Sequence, residues 1–168
     1  LAGVVLVSVL GARSSDATAI ETRPLTAPAA KIHLTTLGDG RQAIVDAGGQ
    51  AVPLSDYQRI AAGSIVADEL LLALAEPARI VALTHYGRVN SRSAHLFGYR
   101  VEIDGPADVE LMRKHRVGLL VLNHFGAPAE LARVRDAGIE VFNLGEMRGI
   151  VTLVPNIESV AILLGDRE

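Results

Sequence analysis

The feature that most constrains the fold is a series of short aliphatic runs, each separated from the next by a stretch with helical signals. Arg79 to Thr84 reads RIVALT, Gly118 to Asn123 reads GLLVLN and Glu140 to Leu144 reads EVFNL. Runs of this length with almost no polar residue suit strands covered on both faces, which is the environment of a parallel sheet between helical layers. Arg59 to Gly63 supplies a fourth, shorter strand. The segments between them carry helix signals. Val66 to Ala75 has Asp68 and Glu69 in its first turns, where acidic groups suit the helix dipole, and Pro77 ends it. A helix starting near Pro106 has Arg113, Lys114, His115 and Arg116 towards its end, and one opened by Pro128 closes at Gly138. Between Thr84 and Pro106, HYGRVNSRS reads as a loop, followed by a short segment around Ala94 to Gly98. Ile157, Val160, Ala161 and Leu164 fall at i, i+3, i+4 and i+7, a last helix stopped by Gly165. The fold class expected is α/β: a Rossmann-like, doubly wound, mainly parallel sheet of four strands over residues 56–168.

Residues 31–55 have a different pattern. KIHLTTL alternates, Gly38-Asp39-Gly40 marks a turn, and RQAIVDA leads through Gly48-Gly49 to QAVPL, which together predict a short antiparallel hairpin or meander. Upstream, LAGVVLVSVL at residues 1–10 has the length of a signal-peptide apolar region, and Ala17-Thr18-Ala19 has the small-x-small cleavage pattern. Residues 1–19 therefore read as the remnant of an export signal, with a buried first strand as the alternative, and residues 20–30 as an extended linker.

Composition removes several function classes. Sixteen basic residues against 19 acidic ones, a net charge of −3, leave no excess to neutralise phosphates, so neither nucleic acid nor an anionic membrane surface is an expected partner. Without cysteine there is no thiol nucleophile and no thiolate metal ligand. No apolar run approaches the roughly 18 residues of a membrane span. Ser64, in Ala62-Gly63-Ser64-Ile65-Val66, lacks the second glycine of a nucleophile elbow, and GxGxxG, GxxxxGK[ST] and HExxH are all missing. No catalytic residues, cofactor or metal site are expected.

In a doubly wound sheet, ligands bind beyond the carboxyl ends of the strands. By this reading that edge is lined by Gly63-Ser64, Thr84-His85-Tyr86-Gly87, Asn123-His124-Phe125-Gly126 and Gly145-Glu146-Met147-Arg148. The candidate ligand-facing residues are Ser64, His85, Tyr86, His124, Phe125, Glu146 and Arg148. Ordinary solvated loops are the alternative for each. His33, His95 and His115 are explained by the hairpin, an exposed segment and a helix end.

The order of these signals resembles a known family. Asp46-Ala47-Gly48-Gly49 and Val52-Pro53-Leu54 are followed by Arg59-Ile60, by Asp68-Glu69-Leu70-Leu71-Leu72-Ala73-Leu74 and by RIVALT. Asp108-Val109-Glu110-Leu111-Met112, Leu119 to Leu122, Ala137 to Phe142, Asn156-Ile157 and Leu163-Leu164-Gly165 continue the series. Together they resemble the N-terminal lobe of the class III periplasmic substrate-binding proteins, which serve ABC importers of cobalamin, haem and iron siderophores. The resemblance implies a two-lobed protein with a metal chelate held between the lobes, and a sequence here that carries one lobe. It also implies that Glu110 docks on arginines of the membrane permease. Arg116-Val117-Gly118 departs from the family's Lys-Pro-Asp before the next strand. A small Rossmann-like enzyme or nucleotide-binding domain, and a stand-alone interaction module derived from the lobe, are the alternatives from other classes.

Overall fold

A computed structural model describes residues 32–123 and 127–165. The signal remnant and the linker expected at residues 1–30 lie outside these. The described chain opens with three strands, β1 (Leu34–Thr36), β2 (Gln42–Val45) and β3 (Ala51–Pro53), paired antiparallel in the order β1-β2-β3. The expected hairpin is thus a meander, because QAVPL after Gly48-Gly49 folds back as a third strand. Ile44 and Val52 are direct partners in the register and both are buried, so one face of this small sheet joins the core.

The second sheet is wholly parallel. Its strands are β4 (Ile60–Ala62), β5 (Ile80–Thr84), β6 (Val101–Ile103), β7 (Leu119–Leu122) and β8 (Glu140–Asn143), in the order β6-β5-β4-β7-β8. Counted within the sheet this is 3-2-1-4-5, the doubly wound arrangement, with its switch point between β4 and β7. Among the described residues this sheet has five strands where the sequence suggests four. β6 escaped notice because Val101-Glu102-Ile103 offers a single alternation, too short for periodicity to register.

Among the described residues five α-helices connect and cover the strands: α1 (Ile65–Leu74), α2 (His85–Asn90), α3 (Val109–Lys114), α4 (Pro128–Asp136) and α5 (Ile150–Leu164). α2 corrects the expectation of a loop over HYGRVNSRS. A 3-10 turn, Gly105–Ala107, leads into α3 and takes up Pro106. α5 ends as its sequence predicts, at Gly165 in the left-handed conformation with φ 98°.

Burial follows from the two-fold alternation of strands. In β7, Leu119 and Val121 face one core while Leu120 and Leu122 face the other, and all four are buried. The first core joins them to Leu71 of α1, Phe142 of β8, Val160 and Leu163 of α5, and Ile44 and Val52 of the meander. The second joins Ala61, Ala82 and Ile103 to Met112 of α3 and Val134 of α4. Arg79 ties the base together, its Nε donating to the Tyr57 carbonyl at 2.8 Å and Nη1 to the Leu164 carbonyl at 3.0 Å. Among the described residues no helix is long and apolar enough to cross a membrane.

Candidate functional site

Because all five strands of the second sheet run the same way, their carboxyl ends form one edge, and Ser64, His85 and Tyr86 stand just after the ends of β4 and β5 there. At the switch point, Ser64 caps α1. Its Oγ accepts from Ala67 N at 3.3 Å and from Asn123 N at 3.2 Å, so one hydroxyl starts the helix and joins the ends of β4 and β7. Asn123 is buried and its Oδ1 has no hydrogen-bond partner among the described residues.

Beside this point lies a cavity of about 370 Å³ over the ends of β4, β5 and β6. Gly63, Ser64, Thr84, Tyr86, Ile103 and Asp104 contribute to its wall. Ser64 and Tyr86 are the two candidate residues that the structure brings together there, Ser64 buried and Tyr86 66% exposed. Ile103 and Asp104 were missed with β6. The signal that could have found them is Asp104-Gly105-Pro106, a turn directly after the Val101 to Ile103 alternation.

His85 is placed differently. Its Nδ1 lies 2.7 Å from Glu102 Oε2 on the edge strand β6, and Arg88 Nε of α2 pairs with the other oxygen of the same carboxylate. The His85 hydrogen bond, helped by the Arg88 charge, holds the Glu102 carboxyl below the usual range. His85 is not part of the cavity wall. Glu146 and Arg148 follow β8, at the opposite edge of the sheet from β6, and form an exposed ion pair at 2.6 Å. His124 and Phe125 fall outside the described residues. Glu110 is exposed on α3 and pairs with Arg113 at 3.2 Å. Among the described residues, no group of three or more histidine, aspartate or glutamate side chains is placed to hold a metal ion.

The acidic residues of α1 do more than complement the helix dipole. Asp68 is fully buried, accepting from Thr84 N at 3.0 Å through Oδ1 and from Thr84 Oγ1 through Oδ2. Burial pushes its carboxyl up from 3.8 to about 6, with the two Thr84 hydrogen bonds opposing the rise. The folded state therefore holds a proton that the unfolded chain releases between these values. Its contribution to stability is largest below the unfolded value, falls as pH rises to about 6, and is level above that. Two units correspond to about 3 kcal/mol. Urea unfolding of wild type and Asp68→Asn across this range is expected to give a difference that shifts in favour of the variant as pH rises. A pH-independent difference would contradict the assignment.

No family model matches the chain, and no curated protein matches its sequence. Solved structures do match. The haem-binding protein HmuT aligns at 17% identity with a TM-score of 0.60, covering 82% of this chain and 45% of HmuT. CeuE of Helicobacter pylori, solved with Ni(II) bound, aligns at 21% identity and a TM-score of 0.59, covering 73% of this chain and 42% of its own. The chain has the Rossmann-like lobe fold of these binding proteins. A periplasmic solute-binding protein from Veillonella parvula shares it at 13% identity and a TM-score of 0.61, covering 74% of this chain and 41% of that one. The lobe spans less than half the length of the structures it matches. The resemblance to class III substrate-binding proteins is thus met at the level of fold.

Proposed function

We propose that this chain is the N-terminal lobe of an exported solute-binding protein that captures a metal chelate, namely cobalamin, haem or a ferric siderophore, and delivers it to the permease of an ABC importer. The observation that carries this reading is the cavity at the switch-point edge, walled by Ser64 and Tyr86, in a lobe with the fold of binding proteins named for haem and solute capture. A chelate supplies its own metal ligands, so the protein wall needs a flat apolar surface and a few polar groups rather than a cluster of donors. Tyr86, and Phe125, which follows β7 in the sequence, are the residues proposed to lie against it. Ser64, His85, His124, Glu146 and Arg148 are proposed to contribute polar contacts along the same edge. Glu110 is proposed to meet the permease, where an exposed carboxylate on a helix sets orientation and association rate. On this reading the protein performs no catalysis, residues 1–19 belong to an export signal and residues 20–30 link it to the lobe.

One wall of a cleft offers part of the contacts while the loss of translational and rotational freedom on binding is undiminished. If a complete cleft bound at about 1 μM, near −8 kcal/mol, this chain alone would bind only at about millimolar concentration. Titration with cyanocobalamin, haemin and a ferric siderophore panel, read by thermal shift, is the test. Weak binding by one of these probes is expected. Micromolar binding would overturn the single-lobe account, and no response to any probe up to its solubility would overturn the chelate assignment.

A further inference from the structure

Three carboxylates from two neighbouring elements grip α2, the six-residue helix that carries Tyr86. Asp68 of α1 holds its start by accepting from Thr84 N and Thr84 Oγ1, and Thr84 Oγ1 in turn accepts from Gly87 N at 2.8 Å. Glu69, the next residue of α1, holds its end. Ser93 Oγ donates to Glu69 Oε2 at 2.6 Å, Ser91 Oγ donates to Oε1, and Ser93 N donates to Ser91 Oγ at 2.8 Å. Glu102 of β6 takes the middle through His85 and Arg88. A helix of six residues has too few internal hydrogen bonds to persist by itself, and His85, Tyr86, Val89 and Asn90 are all exposed. Its position is therefore set by these side-chain bonds more than by packing.

A carboxylate as buried as Asp68 is costly to keep, and an apolar residue could fill the same space. What an apolar residue could not do is orient Thr84 and, through it, the first turn of α2. We propose that Asp68 and Glu69 are positioning residues for ligand capture: adjacent carboxylates on α1, neither in the cavity wall, clamp the two ends of α2 and fix Tyr86 at the cavity. The proposal rests on the reading of that cavity as the ligand site.

The chain has three tyrosines, Tyr57, Tyr86 and Tyr99, of which Tyr57 is buried and Tyr99 fully exposed, so fluorine NMR of the 3-fluorotyrosine-labelled chain resolves the clamp from general stability. Tyr86→Phe assigns the Tyr86 line. In Asp68→Ala and in Glu69→Ala, which remove the hydrogen-bonding groups altogether, the Tyr86 line is expected to move towards that of Tyr99 while the Tyr57 line stays in place. With whichever of cyanocobalamin, haemin or a ferric siderophore gives a thermal shift, added at about 1 mM, where a single lobe would be substantially occupied, the wild-type Tyr86 line is expected to shift, and the shift to fall severalfold in both variants. Should Asp68→Ala fail to fold, Glu69→Ala decides alone, since Glu69 is only half-buried. An unmoved Tyr86 line in a folded variant overturns the clamp. A wild-type Tyr86 line that ignores cyanocobalamin, haemin and ferric siderophores alike overturns the ligand-site reading instead, and the line positions without ligand still decide the clamp.

Discussion

Asp46→Ala is expected to destabilise the chain by about 3–5 kcal/mol, because one carboxylate satisfies three backbone donors. Oδ1 accepts from Gly48 N and Gln50 N, both at 2.8 Å, and Oδ2 accepts from Asn143 N at 3.1 Å. The first two close the turn between β2 and β3. The third, with Ala47 N donating to the Asn143 carbonyl at 2.9 Å, fastens that turn to the free edge of β8. Asp46 is buried, so water cannot readily replace the lost acceptor. In a domain of this size the melting temperature should fall by roughly 10 °C or more. Asp46→Asn should be intermediate, since the amide keeps one acceptor oxygen and turns a donor on the other side towards a donor. Urea midpoints of the three proteins provide the check, and a loss under about 1 kcal/mol for the alanine variant would mean that the turn and β8 are held by their other contacts.

The same residues show what a sequence can and cannot disclose. Asp46-Ala47-Gly48-Gly49 was legible as a turn because the signal is local, but its grip on Asn143 spans 97 residues and has no local signature. β7 and β8 were legible for the opposite reason: burial on both faces writes itself into every position of LLVL and into the Val141-Phe142 centre of EVFN. Helix ends at Gly138 and Gly165 were equally local. β6 and α2 were not. β6 is three residues long, and α2 combines a glycine, a valine and an asparagine in six residues, a poor helix by propensity. The bonds that hold α2 come from Asp68, Glu69 and Glu102. Those from α1 reach 16 to 24 residues along the chain, whereas the sequence offered Asp68 and Glu69 only a role beside their own helix dipole. The candidate site was legible to the extent that strand order dictates it. The common edge follows from a parallel sheet, and Ser64 and Tyr86 meet there at a cavity. The engagement of His85 by Glu102 required β6 to be known.

Gly87→Ala is the second large effect, and its sign runs against helix propensity. Alanine in place of glycine inside a helix ordinarily stabilises by about 1 kcal/mol. At Gly87 a Cβ would stand 2.0 Å from Asp68 Oδ2 and 2.8 Å from Thr84 Oγ1. The aspartate is short and buried and cannot withdraw without releasing both Thr84 groups. The alternative is for α2 to lift away from α1, which strains the bonds of Glu69 to Ser91 and Ser93. Overpacking together with a broken buried hydrogen-bond set should cost about 3–4 kcal/mol. The decisive comparison is a double-mutant cycle with Asp68→Ala. Removing the carboxylate empties the space that the new methyl group needs, so the double variant should be more stable than the sum of the two single losses by about 1–3 kcal/mol. Additive losses would place the strain elsewhere and would remove the steric basis for a fixed Tyr86.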